Sequence, residues 1–370
     1  MAPGSAFAGG LETTEMKMNK ASEHPAGRLA TGGRPELDKP PTSGTPVFDP
    51  IHLGKQLALL PPSLWPWEEP EEIRVELLPA IRDDHRVFEI ILYSRGEIHR
   101  LIGKVYFQDR QDVCELMDEI KRVGFGSDVE FSIPRPVGYL QALRLLLQEK
   151  VEGIPAKYFF KLGDERQRTR AAELCARWLA RFHASAPPIG KVLTTDKFLA
   201  RCCRKCALIV GKGGLLATQA KRLFEGLEEA RLTLGEAPLC AGHGDFGTYQ
   251  IILGERRTAV FDWDLYDIAD PARDAARFVV SLERQALRRY GSLRALDGTS
   301  EVFLKTYLSG NEKPQIWRRL PFYKAAFCLR GASFDLHNRP QPRPDWAEAM
   351  LDAGLEELEK ATYDSLAQTG

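Results

Sequence analysis

The sequence predicts an α+β chain of two lobes: a small antiparallel β-sheet lobe with one main helix, then a larger, mainly helical lobe. Three observations predict it. Runs rich in Val, Ile, Phe and Tyr cluster between residues 73 and 151, helical periodicity dominates beyond Gly153 and Pro155, and one short strand pair interrupts the helices near residue 250. The implied boundaries are a tail over 1–50, a sheet lobe over 51–150 and a helical lobe over 151–370.

Each element has its own warrant. Residues 1–50 are rich in Gly, Pro, Ser, Thr and Ala, with few large apolar side chains. They cannot bury enough surface to offset their ordering entropy, so a disordered tail is expected, with a short docking element over Val47–Leu60. "EIRVELLPAI", "RVFEIILYS" and "HRLIGKVYF" follow as strands, the last two joined by a turn at Ser94-Arg95-Gly96-Glu97. Next, "DRQDVCELMDEIKRVGFG" repeats Val113, Leu116, Met117, Ile120 and Val123 at helical spacing and stops at Gly124 and Gly126. "FSIPRPVGYL" and "LRLLLQEKV" read as two more strands. Beyond the break, "RTRAAELCARWLARFHAS" is amphipathic through Leu174, Trp178, Leu179 and Phe182, and "FLARCCRKCALIV", "ATQAKRLFEGLEEARLTL" and "DAARFVVSLERQALRRY" are further helices.

Composition narrows the function classes. Fifty-one basic and 51 acidic residues give no net charge, so there is no global field for nucleic acid or an anionic membrane. No apolar run approaches the roughly 18 residues that a membrane helix needs. "MAPGSAFAGG" lacks the basic start and apolar core of a signal peptide, so the expected setting is cytoplasmic. Among seven cysteines, only Cys202, Cys203 and Cys206 cluster, with no second pair at zinc spacing; reduced, mostly buried thiols are expected. Gly211-Lys212-Gly213-Gly214 lacks the remaining residues of a phosphate loop and reads as a connector between helices.

The chemistry lies in "LCAGHGDFGTYQIILGERRTAVFDWD", Leu239–Asp264. Three aspartates sit among apolar runs, and isolated buried carboxylates are costly. His243-Gly244-Asp245 precedes a loop, Gln250 follows Asp245 by five residues and opens a strand, and Asp262 closes the strand after the turn Gly254-Glu255-Arg256-Arg257. A carboxylate before a hairpin and another at its exit lie at one end of it. A bound cation with its phosphate partner would account for both.

This grammar resembles a kinase catalytic loop, and more closely the aminoglycoside phosphotransferase and choline kinase-like family, which carries His-Gly-Asp and Asp-Trp-acidic where protein kinases carry His-Arg-Asp and Asp-Phe-Gly. "DIADPARDAARF" (Asp267–Phe278) resembles that family's Gly-Asp-Pro-x-x-Asp-Leu-Ala segment, with Asp270-Pro271 and Asp274 in place. "LIGKVYF", "LLLQEKVEGIP" and "AELCARWLARFHAS" resemble, in family order, the lysine strand, the hinge and the helix ending in Leu-His-Ala.

The resemblance implies a protein-kinase-like bilobal fold and an ATP-dependent, Mg²⁺-requiring transfer to a hydroxyl of a small molecule that is aminoglycoside-, choline- or sugar-like. It implies Asp245 as the catalytic base, Gln250 and Asp262 as Mg²⁺ ligands and Lys104 on the ATP phosphates, with backbone groups of Glu149 and Val151 on adenine. It also implies a helix glutamate paired with Lys104. At about 100° per residue, Glu119 lies roughly 95° from the centre of the apolar stripe and Glu115 roughly 135°, which favours Glu119. His243 and Asp274 are read as braces of the loop, and Asp264 as touching either metal or a basic side chain. Arg319–Pro340 is the expected wall of the acceptor pocket.

Two features depart from the family. Gln250 stands where Asn is usual, one methylene longer before an ion that demands tight geometry. The first inter-strand loop, "PAIRDDHRVF", has no glycine to let backbone amides cradle phosphate, leaving Arg82 and Arg86 to attract it or Asp83 and Asp84 to repel it. Both keep a nucleotide-binding scaffold without catalysis as the alternative. Gly244, where protein kinases carry arginine, removes the group that would read a phosphorylated activation loop.

Overall fold

The structure is a computed structural model describing residues 50–61, 70–81, 84–310 and 315–367. The tail expected over 1–50 therefore lies almost entirely outside the described residues, as do Arg82 and Asp83. The chain begins with α1 (Pro50–Leu57), β1 (Glu72–Ile81), β2 (His85–Ser94), β3 (Glu97–Tyr106), α2 (Gln111–Arg122), β4 (Phe131–Ser132), β5 (Pro136–Leu140) and β6 (Leu145–Glu149). It continues with β7 (Ile154–Pro155), α3 (Ala156–Leu162), α4 (Glu165–Ser185), α5 (Thr195–Val210), α6 (Gly214–Thr233), β8 (Cys240–Gly242), β9 (Ile251–Leu253), β10 (Thr258–Val260) and β11 (Asp267–Ala269). α7 (Pro271–Tyr290), α8 (Asp297–Ser309), α9 (Gln315–His337) and α10 (Pro344–Ala367) complete it.

The first lobe is a sheet in the order β1-β2-β3-β6-β5, antiparallel throughout. Alternation along β3 decides which side chains serve which face. Leu101 and Val105 join Phe88, Ile90 and Leu147 against Leu53 and Leu57 of α1, the docking element expected from sequence. Lys104 and Tyr106 point the other way. Gly103 permits the close packing of the α1 side, because a Cβ there would lie 2.8 Å from Ile90 Cδ1.

"FSIPRPVGYL" proves to be two strands in two sheets. Pro134 and Pro136 bring no N–H to a ladder. β4 instead runs parallel to β10 in the sheet β4-β10-β9-β7, while β5 stays with β6. The stripe of α2 also differs from the expected one: Cys114 is buried with Val113, Met117 and Ile120, while Val123 is exposed. That turns the buried face by roughly 50° and leaves Glu119 about 150° from its centre.

The second lobe packs helices around one aromatic core. Trp178 and Phe182 of α4 stack at 5.0 Å, and Trp178 meets Phe125, Phe246 and Trp263 at 5.4, 5.7 and 6.0 Å. Phe246 and Trp263 flank the segments of interest, so the loops carrying the aspartates rest on this buried aromatic packing. The Gly211–Gly213 stretch links α5 to α6, as expected of a connector. No described helix is long and apolar enough to cross a membrane. Six cysteines are buried, Cys203 is exposed, and all seven are free thiols.

Candidate functional site

The hairpin β9–β10 does what its spacing requires. Ile251 faces Val260 in register, and the Phe261 N–H donates to Gln250 O at 3.0 Å, so the two ends of the hairpin close beside each other. Gln250 enters at this end and Asp262 leaves it. Asp262 adopts φ 75°, a left-handed conformation that a non-glycine residue takes only when its surroundings hold it there.

The loop before the hairpin is built on His243. Its ring Nδ1 faces the Asp245 N–H at 3.3 Å, and its Nε2 faces Phe261 O at 3.1 Å, so one buried imidazole ties Asp245 to the hairpin exit. Asp274 of α7 accepts from the backbone N–H of His243 at 2.6 Å and of Gly244 at 3.2 Å. Burial works to raise the Asp274 carboxyl, but Arg273, then His183 and His243, hold it well below the usual carboxylate range. Gly244 has φ 85°, and a Cβ there would come within 2.1 Å of Leu265 O. Only glycine fits between His243 and Asp245.

Asp245 itself is open, with its side chain 30% exposed. Its Oδ1 accepts from Arg277 Nε at 2.8 Å, and its Oδ2 faces Gln250 Nε2 at 3.3 Å. With the Gln250 amide nitrogen turned to Asp245, its Oε1 is buried and, among the described residues, without a hydrogen-bond partner. A buried amide oxygen left unpaired is expensive. An amide oxygen is also a ligand type that Mg²⁺ takes.

Lys104 crosses from the sheet to meet the hairpin exit. Its ammonium lies 2.6 Å from Asp262 Oδ1 and 2.5 Å from Asp264 Oδ2, and the Tyr106 hydroxyl donates to Asp264 Oδ1 at 2.7 Å. Asp264 thus contacts a basic side chain, one of the two expected alternatives. The expected pairing of Lys104 with Glu119 is not what the structure shows. Glu119 pairs with Arg122 on the exposed face of α2, and Glu115 accepts from Gln111 one turn earlier. The shifted apolar stripe is the reason, since it carries both glutamates away from the sheet.

At the other end of the sheet, Glu149 closes β6. Its N–H donates to Arg135 O at 2.9 Å, leaving the carbonyl as the backbone group that this residue could offer to a base; Val151 lies buried just beyond. The Glu149 carboxylate pairs with Arg257 Nη1 at 2.6 Å, and Arg257 Nε reaches Ser132 Oγ at 3.0 Å, which ties the segment to the turn of the β9–β10 hairpin. The glycine-free loop contributes His85, whose Nδ1 lies 2.8 Å from Asp84 Oδ1 and 3.8 Å from Asp264 Oδ2. Burial first, then the Lys104 charge, pushes the His85 pKa down. Arg86 turns away and lies over the Phe107 ring.

Arg277 is the functional-site residue that sequence reading passed over. The signal was present: it follows Asp274 by three residues on α7 and so shares the face that meets the loop.

Comparison with known proteins follows the same lines. The structure matches a choline kinase from Cryptosporidium parvum at TM-score 0.59 and 12% identity, covering 85% of this chain and 96% of that one. It matches a choline/ethanolamine kinase family protein from Mesorhizobium loti at 0.55 and 16%, covering 84% and 94%. The GDP complex of aminoglycoside 2'-phosphotransferase-IIIa matches at 0.51 and 14%, covering 86% and 99%. At such identities the likeness is one of fold, here the protein-kinase-like bilobal fold. No curated protein matches the sequence. A model of the phosphotransferase enzyme family does match, over residues 82–323, which takes in Lys104, the braced Asp245 loop and the hairpin to Asp262, and the chain belongs to that family.

Proposed function

We propose that the protein transfers the γ-phosphoryl group of ATP, with Mg²⁺, to a hydroxyl of a small molecule. The observation that carries this reading is the closed end of the β9–β10 hairpin, where Gln250 reaches Asp245 and the exit carries Asp262, paired with Lys104 from the sheet. The ADP, GDP and ATP complexes among the fold's solved relatives support use of a nucleoside triphosphate.

The roles follow from the atoms. Lys104 draws the nucleotide phosphates toward the hairpin exit. Gln250 and Asp262 would hold Mg²⁺, which would supply charge neutralisation at the phosphates. The carbonyl of Glu149 and the backbone of Val151 take the adenine edge. Asp245 accepts the proton of the acceptor hydroxyl while that oxygen bonds to phosphorus, and ADP leaves. Arg277 and the Gln250 amide each hold one oxygen of Asp245, which fixes the orientation of the carboxylate.

A thermal-shift titration tests the nucleotide half: ATP with Mg²⁺ raises the melting temperature and ATP without it raises it far less. A phosphotransfer screen over small hydroxyl compounds tests the rest. Stabilisation by Mg²⁺–ATP with no turnover of any acceptor, and no difference between wild type and Asp245→Asn, would replace the reading with a nucleotide-binding scaffold.

A further inference from the structure

The acceptor side of Asp245 carries an excess of positive charge. Arg277 of α7 and Arg330 of α9 flank one ring, their guanidinium carbons 5.8 and 5.2 Å from the centroid of Phe327. Arg330 also lies 5.7 Å over Phe198. The charge of Arg277 is spent on Asp245. Among the described residues Arg330 makes no hydrogen bond or ion pair; its contacts are the two aromatic faces. Burial, then Arg277 and Arg201, push its pKa down against the pull of Cys202 and Asp245, as expected of a guanidinium short of counter-charge.

Neither cation of the family fits these surroundings. A polycation would need spare carboxylates, yet Asp335 of α9, Glu283 of α7 and Glu357 of α10 are paired. Asp335 pairs with Arg284 and Arg339 at 2.8 and 2.6 Å, and Lys324 lies 3.2 Å from Glu283 and 2.7 Å from Glu357. A quaternary ammonium would need open aromatic faces, and Arg330 already covers Phe198 and Phe327.

We propose, resting on the phosphotransfer reading above, that the acceptor is an anion: its carboxylate or phosphate group binds the guanidinium of Arg330 beside Arg277, and this aims its hydroxyl at Asp245. Arginine suits the task, because its planar fork matches a carboxylate or phosphate in two parallel hydrogen bonds. In the step itself the acceptor oxygen bonds to phosphorus, the bond from phosphorus to the departing ADP breaks, and the hydroxyl proton passes to Asp245.

The test uses one scaffold at three charges: glucose, then gluconate and glucose 6-phosphate, then glucosamine, with choline added. Each is assayed as acceptor and, with a saturating non-hydrolysable ATP analogue, as a thermal-shift ligand. Wild type, Arg330→Ala and Arg330→Lys are compared. The expected result is that an anion binds and is phosphorylated in preference to its neutral and cationic counterparts. Arg330→Ala raises its KM roughly ten- to hundredfold with a smaller change in kcat, and Arg330→Lys restores part of the loss. The two anions separate a carboxylate-bearing from a phosphate-bearing acceptor. Preference for glucose, glucosamine or choline overturns the proposal, as does an anion effect indifferent to Arg330. If nothing is phosphorylated but an anion still stabilises the protein through Arg330, the anion site stands and the phosphotransfer reading falls.

Discussion

The two sides of Asp245 are unbalanced in opposite directions. Around the hairpin exit, where we place the nucleotide, two carboxylates, Asp262 and Asp264, share one ammonium, Lys104. Around Phe327, where we place the acceptor, lie two guanidinium groups, and only Arg277 is paired, with Asp245. The difference teaches that a charge count taken over a whole chain, here zero, says little about a site. Desolvated groups answer to neighbours within a few ångströms, so a neutral protein can present a cation-seeking and an anion-seeking surface side by side.

Asp274→Asn should do the most damage, because Asp274 supports both sides at once. It leaves buried Arg273 with Asp267 alone and weakens the acceptor of the His243 and Gly244 amides. A loss of about 3–5 kcal/mol is expected in denaturant unfolding. The folded carboxyl titrates below its unfolded value of 3.8, so its stabilisation is complete above about pH 4 and is lost as the pH falls further. The variant should therefore flatten the acid limb of a pH series of melting temperatures; an unchanged limb would assign acid sensitivity to other groups.

Asp245→Asn comes next and separates the two sides. Phosphotransfer should drop roughly 10²- to 10⁴-fold while Mg²⁺–ATP still stabilises the protein. Loss of both would mean that the substitution had collapsed the loop. Lys104→Ala acts on the nucleotide side alone. It should abolish a stabilisation worth about 2.7 kcal/mol at a nucleotide concentration one hundred times Kd, and it leaves Asp262 and Asp264 facing each other. Survival of the full thermal shift would remove Lys104 from the nucleotide site. Gln250→Asn is the smallest probe. Restoring the family's amide should change the Mg²⁺ concentration for half-maximal activity by only a few-fold, within about 1 kcal/mol; loss of all Mg²⁺ response would show that the longer stem is essential.

Much of this arrangement was legible because it is local. Asp245, Gln250 and Asp262 lie within one loop and hairpin, where spacing alone dictates which end each occupies. Lys104 was singled out by the resemblance of "LIGKVYF" to the family's lysine strand. The Lys104–Glu119 pairing failed through a rotation too small for a periodicity to resolve: Cys114 for Val123 on the buried face of α2 was enough to carry Glu119 to solvent. Asp264 stayed open because its partners, Lys104 and Tyr106, lie about 160 residues away in sequence, and no local rule reaches that far. Arg277 escaped notice, and Arg330 was not singled out within Arg319–Pro340, for a different reason. On a helix in a charge-rich sequence, an arginine reads as a solvated face until the packing shows what it has been denied.

Gly244 carries a consequence beyond its fit. The carbonyl of Leu265 occupies the space where any side chain at that position would begin, so the backbone itself excludes the arginine that would answer a phosphorylated loop. No single substitution at that position can therefore graft such a response onto this loop; the 265 segment would have to move first.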